Sequence, residues 1–136
     1  MQDSLKNKYL AFVLSEVSRA ELIKEFPAAY DRIIAHHVTI QFNVNEDGMK
    51  LLNGPAPIVK AVAYGKNDKV DCVLVNVNRT CMRLDGSFYH VTISCSPIGK
   101  PVDSNAFLKL NHGLEGALNW SHGPVILEGK LELLNK

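Results

Sequence analysis

A four-residue repeat constrains this chain more than any other feature. His37-Val38-Thr39-Ile40 recurs unchanged as His90-Val91-Thr92-Ile93. A chain of this length contains some identical tetrapeptide pair by chance with a probability on the order of 0.1 at ordinary residue frequencies, so identity is the lesser part of the signal. The context carries more. Both copies sit in runs, His36 to Phe42 and Tyr89 to Cys95, whose β-branched content and alternation read as strands. Successive side chains of a strand point to opposite faces. His37 and Thr39 therefore share one face, roughly 7 Å apart along the strand, while Val38 and Ile40 point into a core. His90 with Thr92, and Val91 with Ile93, repeat the arrangement. Two such strands on opposite walls of a cleft would each present an imidazole and a hydroxyl.

The rest of the chain supplies an antiparallel framework. Lys8 to Leu14 reads as a buried strand. Ser15 to Phe26 has helical spacing, with Val17, Leu22, Ile23 and Phe26 on one face and Ser18 and Glu21 as a capping box. Pro27 ends that helix. Ala28 to Ala35 fits no pattern cleanly, a single helical turn being the nearest. Asn43 to Gly54 is polar, with a short helix around Met49 to Leu52. Pro57 to Tyr64 and Val70 to Val77 form a hairpin across the turn Gly65 to Lys69. Thr80 to Leu84 reads as a short strand ended by Asp85-Gly86, and Pro97 to Asn105 as a loop. Asn105 to Leu110 suggests a helical turn, and Val125 to Leu134 a final strand with Gly129 as a bulge. The pattern predicts an α+β fold of six or seven strands, one good helix and one or two short ones, in a single domain over 1–136.

Composition narrows the function classes. The chain has 136 residues, 46% apolar and 21% charged, enough to bury a core without staples. A net charge of +1 provides no strong field for nucleic acid or membrane, although it leaves room for a small basic cleft. Cys72, Cys81 and Cys95 are odd in number and match no zinc spacing, so they read as reduced thiols. The first ten residues carry no apolar signal region, and no apolar run approaches the roughly 20 residues that span a bilayer. These features predict a cytoplasmic protein that does not use a membrane. No phosphate-cradling glycine loop, Walker pattern or nucleophile elbow is present in the sequence.

Two histidines and two threonines suit phosphoryl transfer by protein groups alone, with no cofactor and no metal. A neutral imidazole takes a proton from the attacking oxygen, and a charged one gives a proton to the leaving oxygen. Threonine hydroxyls donate to the non-bridging phosphate oxygens. His37 and His90 are thus the candidate acid–base pair, with Thr39 and Thr92 as phosphate ligands. Gln41 and Ser94 continue the motif faces by period two, and Lys100 reaches in as a point charge; these three are candidate substrate contacts. His36 should face away from His37. His112 and His122 read as surface histidines in loops. Tyr9, Tyr64, Tyr89 and Trp120 are candidates to stack on a base, ordinary packing being the better account of each. Glu46, Asp47, Asp68 and Asp71 fall in or near turns and read as solvated.

The paired His-x-Thr-x motifs at His37–Ile40 and His90–Ile93 resemble the signature of the 2H phosphoesterase superfamily. The stretch Gly99-Lys100-Pro101-Val102-Asp103-Ser104-Asn105 is similar to the corresponding region in the cyclic phosphodiesterase domains of fungal-type tRNA ligases. The resemblance covers His36 to Phe42 and Tyr89 to about Asn105. It implies a bilobal fold, with antiparallel sheets flanking a central cleft and few helices, each lobe supplying one motif. It implies hydrolysis of 2′,3′-cyclic phosphates, 2′–5′ linkages or other cyclic or oligonucleotide phosphodiesters. RNA repair, or degradation of cyclic nucleotide defence signals by compact viral members in the host cytoplasm, would be the setting. The two histidines are only 53 positions apart, from 37 to 90, so the lobes must be trimmed. The alternative is a non-catalytic nucleotide- or RNA-binding module using the same cleft, against which stands the presence of all four motif residues.

Overall fold

The computed structural model describes residues 5–136, and in it the apolar runs of the sequence pair antiparallel throughout. In chain order the elements are β1 (Lys8–Leu14), α1 (Glu16–Glu25), β2 (Arg32–Ile33), β3 (His37–Gln41), α2 (Glu46–Asn53), β4 (Val59–Lys66), β5 (Val70–Val77), β6 (His90–Cys95), α3 (Asp103–Asn111), β7 (Asn119–Leu127) and β8 (Gly129–Asn135). One sheet has the order β3-β1-β8 and the other β2-β6-β5-β4-β7. This is the α+β arrangement that the motifs imply, two antiparallel sheets flanking a cleft with few helices. The lobes are unequal, with three strands against five.

Each copy of the repeat lies in a different sheet. β3 is an edge strand paired to β1, with Ala11 opposite Thr39 and Val13 opposite His37. β6 runs between β5 and the two-residue β2. Val38, Ile40, Val91 and Ile93 all enter one core together with Leu10, Phe12, Val73 and Val75. Burying an aliphatic side chain of this size contributes roughly 1.5–3 kcal/mol, so this shared core clamps the two strands. Their polar faces are left toward the gap. A second cluster, including Leu74, Phe107, Leu108 and Leu118, seats α3 on the other face of the larger sheet.

Local differences from the sequence reading have identifiable causes. Ser15 is the N-cap of α1, its hydroxyl accepting from the Ser18 N–H at 3.1 Å. Ser18 therefore opens no capping box with Glu21. It is buried inside the helix, and its hydroxyl accepts from the Glu128 N–H at 2.9 Å, tying α1 to the β7–β8 junction. Leu22 is buried as expected, but Val17 is exposed. The segment 28–35 makes no helical turn and instead supplies β2, whose Arg32 and Ile33 pair with Cys95 and Ser94. Thr80 to Leu84 forms only isolated bridges, because Asn78 (φ 48°) and Arg79 (φ 75°) turn the chain at the end of β5.

The run Val125 to Leu134 divides between two sheets. Gly129 is the crossing point: a Cβ there would collide with the Val13 backbone carbonyl, so the close approach itself demands glycine. His122 lies within β7 rather than in a loop. Asp71, read as solvated, is fully buried in β5. Its carboxylate accepts from the Ala29 N–H at 2.9 Å, from the Tyr64 hydroxyl at 2.6 Å and from Ser94 Oγ. Three donors replace the lost hydration, which is the condition for burying such a group.

Candidate active site

A cleft of about 610 Å³ lies between the sheets, and His37, Thr39, His90 and Thr92 all line it. Strand alternation put each histidine and threonine on one face; closure of the two sheets over a common core turns those faces toward each other.

His37 opens β3 just after an unusual backbone step. Ala35 is buried at φ 42°, and its N–H donates to the Thr92 carbonyl at 2.9 Å. Strand alternation begins only beyond this left-handed residue, so His36 does not face away as expected. Its Nδ1 lies 3.0 Å from His37 Nδ1, and the rings meet edge to face. One of these nitrogens must carry the proton. On its other side, His37 Nε2 is 3.3 Å from the Tyr9 hydroxyl. Burial first, then the neighbouring His36 and His90, bring the His37 pKa down to about 4. The ring is therefore neutral at pH 7.

His90 is half-buried like His37, and its Nδ1 lies 2.8 Å from the Phe88 carbonyl oxygen. A carbonyl only accepts, so Nδ1 holds a proton and Nε2 is the nitrogen left for exchange. Burial lowers the His90 pKa; the Phe88 carbonyl opposes that shift and the Arg83 charge adds to it.

The two threonines are not equivalent. Thr39 lines the cleft with no hydrogen-bond partner for its hydroxyl among the described residues. Thr92 Oγ1 donates to the Pro101 carbonyl at 3.2 Å and shares a 2.8 Å hydrogen bond with Ser104 Oγ. The covering of β6 by the segment leading into α3 makes this difference, which identical tetrapeptides cannot show.

Gln41, Ser94 and Lys100 do not line the cleft. The Gln41 amide donates to Asn45 Oδ1 at 3.1 Å and accepts from the Asn45 N–H at 2.9 Å, bracing the turn into α2. Ser94 accepts from the Tyr30 N–H at 3.1 Å and donates to Asp71. Lys100 is exposed, with its N–H bonded to Asp103 Oδ2 at 2.8 Å. Tyr9, for which packing is the better sequence account, lines the cleft and is stacked on Phe42 at 6.3 Å between centroids.

Sequence reasoning missed Arg83, Asp85 and Asn105, which also line the cleft. The Asp85-Gly86 pair marked a turn but gave no sign that the arginine before it is buried beside His90. Asn105 Oδ1 is buried with no hydrogen-bond partner among the described residues.

Among the described residues, no helix is long and apolar enough to cross a membrane. No family model and no curated protein sequence matches the chain. Among solved structures, the crystal structure of a fungal RNA kinase is similar, with a TM-score of 0.63 at 15% sequence identity, over 96% of this chain and 46% of that one. The chain thus spans just under half the length of that protein. At this identity the likeness is one of fold.

Proposed function

We propose that this protein is a phosphodiesterase of the 2H type, acting on 2′,3′-cyclic phosphate or on cyclic or 2′–5′ oligonucleotide phosphodiester bonds by two-histidine acid–base catalysis. One observation carries the reading: two sheets each deliver an imidazole, with a threonine two residues on, to the same cleft. His37 is the better base in hydrolysis, because it rests neutral with its pKa near 4. His90 takes the acid role, because the Phe88 carbonyl accepts from Nδ1–H and partly offsets the lowering of its pKa by burial and by Arg83. An anionic phosphate between them raises the pKa of both, so substrate binding itself promotes protonation of His90.

The step then balances within the cleft. Water attacks phosphorus and gives its proton to His37. The bond to the leaving ribose oxygen breaks, and that oxygen takes the His90 proton. The Thr39 hydroxyl is free to donate to a non-bridging oxygen. The fold likeness to an RNA kinase favours an RNA or nucleotide substrate over other phosphodiesters.

The test is turnover of a panel in the presence of chelator: nucleoside 2′,3′-cyclic phosphates, cyclic-phosphate-ended RNA, 2′–5′ oligonucleotides and cyclic di- and trinucleotides. His37→Ala and His90→Ala should each lower turnover by about 10²-fold or more. Full activity in either variant, or a strict metal requirement, sinks the mechanism. Tight nucleotide binding without turnover would instead make this a non-catalytic binding module.

A further inference from the structure

The repeat is identical in sequence but unequal in structure, and the inequality points to a residue outside it. Thr92 is buried, and its single hydroxyl proton is committed between Pro101 and Ser104. Thr39 has no such commitment. A phosphate between the walls would find a free hydroxyl on the β3 side and an occupied one on the β6 side.

Arg83 stands beside His90 on that second wall. Its side chain is only 8% exposed, and the exposure that remains belongs to a residue lining the cleft. The segment carrying it is tightly closed. Arg83 N–H donates to the Ser87 carbonyl at 2.7 Å, and the Arg83 carbonyl accepts from the Gly86 N–H at 3.0 Å, with Gly86 at φ 88°. Asp85 grips the guanidinium from one side, accepting from Nε at 3.2 Å and from Nη2 at 3.0 Å. Asp85 is itself pinned by the Ser87 N–H at 3.0 Å.

A guanidinium carries five N–H donors in a rigid plane. Asp85 takes two, and the other three have no acceptor among the described residues. A largely desolvated cation with spare donors at a cleft wall has the chemistry to hold an anion.

We propose that Arg83, rather than Thr92, binds the substrate's phosphate oxygen on the β6 side of the cleft, while Thr92 serves as an internal strut holding α3 against β6. This rests on the phosphodiesterase reading for its substrate but not for its anion. The ligand chemistry is a phosphate monoanion or diester oxygen accepting from Nη1 and Nη2. No covalent change at Arg83 is involved. As the anion binds, the fixed guanidinium stabilises charge that builds on the non-bridging oxygens during attack.

Inorganic phosphate is the probe, titrated by calorimetry and by histidine ring shifts into wild type, Thr39→Val, Thr92→Val, Arg83→Gln and the turnover-deficient His37→Ala. Arg83→Gln should weaken phosphate binding by about tenfold or more, the scale of one lost charge-assisted hydrogen bond. It should lower kcat/KM by a similar factor. Thr92→Val should weaken binding less than Arg83→Gln does and should lower the melting temperature, because Ser104 loses its partner. Arg83→Lys keeps the charge without the fork; it should weaken binding severalfold and serves in place of Arg83→Gln should that variant not fold.

The proposal is overturned by wild-type affinity in the arginine variants, by a wild-type protein that binds no phosphate, or by a Thr92→Val variant that loses binding as fully as Arg83→Gln at an unchanged melting temperature. If wild type binds phosphate, Arg83→Gln does not, and no phosphodiester is turned over, the catalytic reading fails while the anion site stands.

Discussion

Acidification should destabilise this protein through His37, by an amount that follows from the lowered pKa of that ring. The unfolded chain holds His37 at about 6.5, and the folded cleft holds it near 4. Between those values the unfolded state binds more protons, so the stabilising contribution is complete above pH 6.5 and is lost as pH falls toward 4. Integrating the difference from pH 7.5 to pH 5.0 for pKa values of 6.5 and 4 leaves about 2 kcal/mol attributable to this residue. For 136 residues that is about 7 °C in melting temperature. The groups around the ring are His36, His90 and Tyr9, and the first two are themselves sources of the shift. Urea denaturation followed by circular dichroism, at both pH values, on wild type and His37→Asn isolates the effect. The wild-type unfolding free energy should fall by about 2 kcal/mol more than that of the variant. Parallel pH dependence in the two proteins would refute the argument, because His37 would then titrate alike in the folded and unfolded chains.

Three further outcomes test the framework that holds the cleft. Asp71→Ala should destabilise the fold by about 3 kcal/mol, since it removes the shared acceptor of Ala29, Tyr64 and the buried Ser94; denaturation midpoints read this directly. Ser15→Ala should cost about 1 kcal/mol, the usual loss for an N-cap hydroxyl, and should leave the His37 ring shifts in place. Gly99→Ala should lower both the melting temperature and turnover: its Cβ would collide with the backbone of Lys69, displacing the loop that carries Pro101 onto Thr92. A Gly99→Ala protein with unchanged stability would show that this loop is free to move.

The legible parts of the molecule were those that obey a local period. Lys8 to Leu14 reads as a strand in sequence and is one in the structure. The hairpin of β4 and β5 follows from two β-rich runs and a polar turn. Val38, Ile40, Val91 and Ile93 are core residues because strand alternation left them nowhere else to go. Where neighbours distant in sequence decide, the local pattern misleads. Ser94 obeys period two, yet it is recruited by Asp71 on the adjoining strand. Asp71 itself looks like a turn-flanking acid, and only donors from residues 29, 64 and 94 make its burial tolerable.

The candidate site divides in the same way. Residue order alone groups side chains by strand face, and so pairs His37 with Thr39 and His90 with Thr92, because alternation is a property of the extended backbone. The tertiary structure decided that the two faces meet, since that depends on two sheets burying one core. It also decided that Thr92 is occupied while Thr39 is free, that Ala35 turns His36 onto His37, and that Arg83 lies under the cleft wall. Each of these depends on groups brought together by closure of the chain over long separations, and no local repeat encodes such an encounter.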